Sequence, residues 1–235
     1  MEDDGQNELT LNFSAASGAV PIKVFTDMEV LGSINLQTRI IPIHVQLNPT
    51  NKCNLNCEWC SCSKRDRKFE LSLQQIKDAM GRYKRLGCKS VTITGGGEPL
   101  LHPDINEIIE YIKDELGIKI GIVTNGTLVK KLTIPNWNRL TWVRFSLGDS
   151  KNNGKNFKEV YWKNLDSIVR TVNTDFSFSY VATKNYDLNL ILETIRFSNE
   201  HNFTHIRMTT DILKGDMGSL LSDIRFEVRQ CEDDR

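Results

Sequence analysis

The sequence predicts an α/β protein with a parallel sheet, built as a partial (β/α)6 barrel over residues 39–212. Two observations support this prediction. Short apolar runs typical of strands alternate six times with segments of helical periodicity, and glycines or capping residues separate the two kinds of segment. Strand–helix repeats of this length favour parallel strands that are joined by right-handed crossovers.

Local signals place the individual elements. Ser72 and Gln75 have capping-box spacing before the first helix, and Gly87 follows its last apolar residue. Asp104 and Glu107 predict a second capping box. The predicted strands are 40–47, 91–94, 118–124, 141–146, 176–181 and 205–209, and the predicted helices are 72–86, 104–116, 161–172 and 188–202, with a short helical or irregular piece before residue 135.

Two segments flank this core. Residues 1–38 are polar and contain several glycines, and we expect an N-terminal extension that packs loosely or is partly disordered. Residues 213–235 are expected to form a C-terminal tail. A chain of 235 residues predicts one large domain, or at most two.

Composition excludes several classes of function. Thirty basic residues balance 30 acidic residues, which argues against a broad nucleic-acid surface. No apolar run approaches the roughly 20 residues that span a membrane, and the acidic segment Met1–Asp4 lacks the plan of a signal peptide. Three of the six cysteines lie in one loop, which favours metal ligands in a reducing compartment and predicts a cytoplasmic protein.

The three clustered cysteines are the strongest chemical signal. Cys53, Cys57 and Cys60 have C-x3-C-x2-C spacing directly after the first predicted strand. Three thiolates in such a short register suit a [4Fe-4S] cluster with one iron left open for another ligand. The alternative is a zinc site with Cys62 as fourth ligand, although zinc ligands usually come as two separated pairs. Cys62 could also replace one of the three as a cluster ligand.

A glycine run follows the second predicted strand. Its sequence is Thr94-Gly-Gly-Gly-Glu-Pro99. Glycines can take unusual backbone angles and allow the main chain to approach a ligand closely. The exposed peptide groups and Glu98 can bind the ammonium group of a ligand, and Pro99 stiffens the exit. The alternative is a simple turn at a strand end.

Together these two stretches resemble the radical S-adenosylmethionine (SAM) superfamily. The cysteine spacing, the aromatic Trp59 before the last cysteine, and Gly96-Gly97-Glu98-Pro99 carry the resemblance. It implies the same partial (β/α)6 barrel, and an enzyme whose three cysteines hold a [4Fe-4S] cluster that binds SAM. It also implies reductive cleavage of SAM to a 5′-deoxyadenosyl radical, which abstracts hydrogen from a substrate, either a peptide or a small molecule. The amino-acid sequence of the chain does not identify that substrate.

The resemblance and the strand pattern also imply further cofactor contacts. Trp59 could pack on adenine or belong to the core. Ser146, at the end of the fourth strand, is expected to contact the ribose, and Arg207 on the sixth strand the methionine carboxylate. The full set of expected cofactor contacts is Trp59, Gly95, Gly96, Gly97, Glu98, Asn125, Ser146 and Arg207.

Alternation along the strands predicts a polar inner face. His44, Arg144, Ser146 and Arg207 fall on the inward positions if their apolar neighbours face the helices. Two guanidiniums in such a place are costly unless something polar is bound there. Arg144 or the histidines could therefore meet an anionic group of the substrate, whereas the structural alternative pairs the arginine with an internal acid.

The basic run Lys64–Lys68 follows the cysteine loop. It could dock an acidic electron donor such as a flavodoxin- or ferredoxin-like protein, or an acidic substrate, or it could be a solvated loop. Two alternatives to the main function also stay open. One is a non-catalytic iron–sulfur or zinc module that senses redox state or bridges partners, and the other is a glycyl-radical activase whose substrate is a protein.

Overall fold

The sheet confirms the predicted α/β fold. The computed structural model describes residues 41–148, 157–211 and 219–233, together with residue 32. Within these residues, six strands form one sheet in the order in which they occur along the chain. Each strand pairs in parallel with the next. The first and last strands are the edges of the sheet, so it is an open, partial barrel.

The elements have the following bounds. The strands are β1 His44–Leu47, β2 Ser90–Ile93, β3 Lys119–Thr124, β4 Trp142–Gly148, β5 Asp175–Ala182 and β6 His205–Thr210. The α-helices are α1 Leu73–Arg85, α2 Ile105–Glu110, α3 Ile134–Arg139, α4 Phe157–Val169, α5 Leu188–Glu200 and α6 Leu220–Asp233. Short 3-10 helices span Pro99–Leu101 and Val129–Lys131, and a π-helical turn, Tyr111–Glu115, continues α2.

The two predicted capping boxes have different outcomes. In the first, the Ser72 hydroxyl accepts from the Gln75 amide at 3.2 Å, and the Gln75 side chain accepts from the Ser72 amide at 2.8 Å. This confirms the predicted start of α1. The second is wrong, because Asp104 makes no capping bond with its side chain. Its backbone, at φ −99° and ψ 23°, lacks the extended conformation that a capping residue needs.

The strand register confirms the predicted alternation. Arg144 lies opposite Ser177, which in turn lies opposite His205, so these three residues share one face of the sheet. Val143 and Phe145 are fully buried and face the helices. Burial of this apolar face against the helices supplies the main stabilisation of the fold. The opposite face is polar, as predicted.

Two boundaries differ from the sequence prediction. Helix α6 occupies much of the segment that was expected to be a tail, and its Ile224 is buried. The first strand begins at His44 and not at residue 40. The predicted extension 1–38 lies outside the described residues, apart from residue 32. Across the ranges that the structure covers, no helix combines the length and apolar character needed to cross a membrane.

Candidate functional site

The three clustered cysteines lie in a loop of successive turns between β1 and α1. The Cys60 amide donates to the Cys57 carbonyl at 3.2 Å, which closes a turn around half-buried Trp59. Burial, followed by the neighbouring thiols of Cys53 and Cys60, raises the pKa of Cys57 to about 11. The sulfurs of Cys53 and Cys60 are therefore close enough to that of Cys57 to oppose its ionisation.

The donor set fits an iron–sulfur cluster. Three neighbouring thiolates that repel each other need positive charge among them, and the irons of a cluster supply it. Such a cluster binds each cysteine through a different iron, so the sulfurs need not converge on a single ion. In the described part of the chain, no three His, Cys, Asp or Glu side chains are grouped to hold one metal ion. Cys62 lies in the same loop, with its sulfur 3.9 Å from the Ser61 hydroxyl.

The glycine run packs main chain to main chain against the cysteine loop. The Gly97 amide donates to the Thr50 carbonyl at 3.0 Å, and the Glu98 amide to the Lys52 carbonyl at 2.8 Å. A Cβ atom on Gly97 would collide with the Lys52 carbonyl oxygen, and one on Gly96 with the Asn51 side chain. Close approach to the cysteine loop therefore requires glycine at both positions.

The glycine run bends sharply without left-handed backbone. The glycines with positive φ in the described residues are Gly87, Gly117 and Gly126, and none of them lies in the run. The chain bends at Gly96 and Gly97, and a Cβ atom on Gly95 would collide with the Gly97 carbonyl oxygen. Close approach of the glycine run to a ligand stays a prediction.

Glu98 lies beneath the glycine run and is 2% exposed. Its Oε1 accepts from the Thr124 hydroxyl at 2.6 Å and from the Leu100 amide at 3.0 Å, and its Oε2 accepts from the Asn125 amide at 2.7 Å. Burial raises the pKa of Glu98, whereas these donors favour the ionised carboxylate. The carboxylate therefore fastens the glycine run to the end of β3, and its expected contact with a ligand ammonium stays a prediction.

Asn125 joins the end of β3 to the cysteine loop. Its amide group donates to Asn54 Oδ1 at 2.9 Å, and Asn54 donates in turn to the Thr127 hydroxyl at 2.8 Å. Sequence analysis placed Asn125 among the cofactor contacts, which stays a prediction. It gave no role to Asn54 or individually to Arg65, whose guanidinium donates to the Asn51 carbonyl at 2.9 Å. The sequence signal for a role of Asn54 and Arg65 was that both are polar and lie in or next to the cysteine loop.

The inner face of β4–β6 is cationic. Arg144 is 7% exposed, and burial together with the nearby charge of Arg207 lowers its pKa. Burial and these two guanidiniums also lower the pKa of His205. Beneath them, the Trp142 ring covers Gly121, where a Cβ atom would collide with the indole, and it lies 5.4 Å from the Arg144 guanidinium.

The two predicted contacts on the sheet lie in one row. Ser146 pairs in register with Ser179, which pairs with Arg207. Their side chains share the polar face at the carboxyl end of the sheet, which is also the end that carries the cysteine loop and the glycine run. The cysteine loop, the glycine run, Asn125 and Ser146 therefore all follow or end strands at the carboxyl edge of the sheet. Their contacts with a cofactor stay predictions.

The comparisons with known proteins agree with this geometry. The family model described as the radical SAM superfamily matches residues 47–148. A GTP 3′,8-cyclase of Aquifex aeolicus is 30% identical over 170 residues, which are 65% of this chain and 52% of that protein. The match to the family model begins at the end of β1 and extends through β4, so it includes both motifs.

Solved structures show the same fold. Streptococcus suis SuiB bound to S-adenosylmethionine has a TM-score of 0.65 at 20% identity, over 88% of this chain and 52% of that chain. SuiB bound to its precursor peptide SuiA has a TM-score of 0.62 at 20% identity, over 85% and 47% of the two chains. The chain spans about half the length of these proteins. Members of the matched superfamily use a [4Fe-4S] cluster and SAM. Over residues 47–148, which include the cysteine loop and the glycine run, this chain matches the radical SAM superfamily.

Proposed function

We propose that this chain is the core of a radical SAM enzyme that cleaves S-adenosylmethionine at a [4Fe-4S] cluster held by Cys53, Cys57 and Cys60. The observation that carries the proposal is the joint between the cysteine loop and the glycine run. Main-chain hydrogen bonds join these two segments, and glycine at the contact lets their backbones approach closely. Together they form one rigid site for a cluster and the ligand of its open iron.

The residues of the chain bind and orient the two cofactors. Cys53, Cys57 and Cys60 would hold the cluster, which would supply the electron for reductive cleavage of SAM and so the radical chemistry of hydrogen abstraction from the substrate. The glycine run offers its peptide groups beside the cysteine loop, and Glu98 holds that run in place from below. From the sheet, we assign Ser146 to the ribose and Arg207 to the methionine carboxylate, as a charge-assisted bond. We assign Trp59 to the adenine ring.

The polar face of β4–β6 favours a substrate with an anionic group. Arg144 and Arg207 lie on that face on either side of β5, and a bound anion would offset the mutual repulsion of these two guanidiniums. Both substrate classes of the similar proteins can supply an anion. The cyclase is named for a nucleotide, and SuiB binds a precursor peptide. We include both nucleotide-like and acidic peptide substrates in this proposal.

An electron donor is also required, and we propose a small acidic protein of the flavodoxin or ferredoxin kind. Lys64, Arg67 and Lys68 are exposed just after the cysteine loop. Positive charge near the cluster would attract an acidic donor at low ionic strength and lose this effect in salt.

The test is anaerobic reconstitution with iron and sulfide, followed by dithionite and SAM, with 5′-deoxyadenosine measured by chromatography. The wild-type chain should bind about four irons per chain and form deoxyadenosine. Cys57→Ala should lose both, because it removes one of three ligands. Cys62→Ala is the matched control in the same loop and should retain both.

Different outcomes would correct different parts of the proposal. A colourless protein that takes up zinc would overturn the cluster assignment in favour of a zinc module. A cluster that forms without any deoxyadenosine would favour the non-catalytic alternative. Loss of the cluster in Cys62→Ala and not in Cys57→Ala would reassign the ligands.

A further inference from the structure

Arg65 differs from the other members of the basic run. Lys64, Asp66, Arg67 and Lys68 are exposed, whereas Arg65 is half-buried. Its guanidinium folds back into the cysteine loop and does not extend towards solvent. This one residue of the run is therefore part of the site and not of a docking surface.

Three hydrogen bonds hold the guanidinium in place. Nε donates to the Asn51 carbonyl at 2.9 Å, and Nη1 donates to the Cys62 carbonyl at 2.6 Å. The same Nη1 is 3.4 Å from the sulfur of Cys60 and donates to it. Asn51 precedes the first cysteine of the loop and Cys62 follows the third, so Arg65 ties the two ends of the loop together.

The side chain also touches the glycine run. A Cβ atom on Gly96 would lie 3.4 Å from Cδ of Arg65. Arg65 therefore packs between the two motifs, at the place where the cluster and its ligand would meet. Lysine could supply the charge but not the planar fork that reaches two carbonyls and a sulfur at once.

The guanidinium of Arg65 places a positive charge and an N–H donor 3.4 Å from the sulfur of Cys60, one of the proposed cluster ligands. Hydrogen bonds to cluster sulfurs are one of the factors that set reduction potentials, because reduction adds negative charge that a donor stabilises.

We propose that Arg65 is a positioning residue that raises the reduction potential of the cluster through its bond to the Cys60 sulfur. This inference rests on the proposed function, because it needs a cluster on the three cysteines. It adds a residue outside both motifs to the site. Its effect is to make the first electron transfer easier for a weak donor.

The test is a redox titration of the reconstituted cluster, followed by electron paramagnetic resonance. The cluster of Arg65→Gln should have a midpoint potential more negative than wild type by about 59 mV or more, which is a tenfold change in a one-electron equilibrium. Arg67→Gln is the matched control, since Arg67 lies in the same run and donates to Asn56 and not to a sulfur. It should keep the wild-type potential.

Equal potentials in wild type and Arg65→Gln, at equal iron content, would overturn the proposal and leave Arg65 a purely structural clamp. If Arg65→Gln takes up no cluster, wild type grown with [15N]arginine decides the question by pulsed resonance of the reduced cluster. A 15N coupling that disappears in Arg65→Lys supports the contact, and no coupling in wild type overturns it. A wild type that takes up no cluster would instead contradict the proposed function.

Discussion

The two halves of the sheet build the site in different ways. At the ends of β1–β3, the cysteine loop and the glycine run are fixed by main-chain hydrogen bonds and by the buried carboxylate of Glu98. Along β4–β6, the site consists of side chains, with Arg144 and Arg207 on the polar face. The first half therefore depends on backbone geometry, and the second on charge.

This difference explains what the comparisons can and cannot reveal. A site made by backbone contacts tolerates few residue types, so it carries recognisable motifs, and both motifs lie within the family match, which also extends through β4. A charged face can be built from many combinations of side chains. We therefore expect the first half to indicate the class of reaction and the second to contribute the choice of substrate. Three changes test this contrast, beginning with the largest expected effect.

Gly97→Ala should have the largest effect. The new Cβ atom would collide with the Lys52 carbonyl oxygen, which is backbone and cannot rotate away. Overpacking of this kind costs about 1–3 kcal/mol, and here relaxation must separate the glycine run from the cysteine loop. We expect most of the iron and nearly all deoxyadenosine formation to be lost, as measured by iron content and chromatography.

Gly81→Ala is the matched control for Gly97→Ala. Its Cβ atom would meet only the ends of side chains, at 3.3 Å from the Tyr111 hydroxyl and 3.7 Å from Arg85 Nη1. Alanine is also the better helix former by up to about 1 kcal/mol, so cluster loading should not change. Normal cluster loading in Gly97→Ala would show that the site at the ends of β1–β3 does not depend on close backbone contact between the glycine run and the cysteine loop.

Glu98→Gln should have an intermediate effect. Glutamine replaces one acceptor oxygen by an NH2 group, so at least one of the three donors that surround the carboxylate loses its partner. A buried donor without a partner costs about 1–3 kcal/mol. Thermal denaturation should therefore show a lower Tm for Glu98→Gln than for wild type. Glu200→Gln, on the exposed end of α5, is the control and should change the free energy of unfolding by less than about 0.5 kcal/mol. An unchanged Tm would contradict a fastening role.

Sequence analysis could predict the parts of the fold that depend on local pattern. Apolar alternation gave the two faces of the sheet, and the spacing of Ser72 and Gln75 gave the start of α1. Helix α6 had a similar signal, because Leu220, Ile224 and Val228 recur every four positions, and that signal was missed. The polar character of its other residues made the segment resemble a tail.

The internal contacts of the site were not predictable in the same way. Glu98 meets Thr124, 26 residues later in the chain, and this contact exists only because β2 and β3 are neighbours. The exposed-looking run around Arg65 likewise gave no indication that one of its side chains folds inward. Residue type and spacing predict which groups can bind a ligand. Tertiary packing decides which of these groups already make hydrogen bonds within the protein.

The smallest expected effect tests the charge of the second half. Burial, and after it the guanidiniums of Arg144 and Arg207, hold the pKa of His205 below its ordinary value of 6.5. As the pH falls through 6.5, the unfolded chain therefore takes up this proton more readily than the folded chain, and folding stability decreases. Arg207→Gln should raise the pKa of His205 towards 6.5, as followed by NMR titration of its imidazole, and should reduce this loss of stability. Arg196→Gln removes an exposed arginine from α5 and should leave the pKa of His205 unchanged. If both variants leave it at the wild-type value, the cations on β4 and β6 do not act as one patch, and the argument for an anionic substrate fails with them.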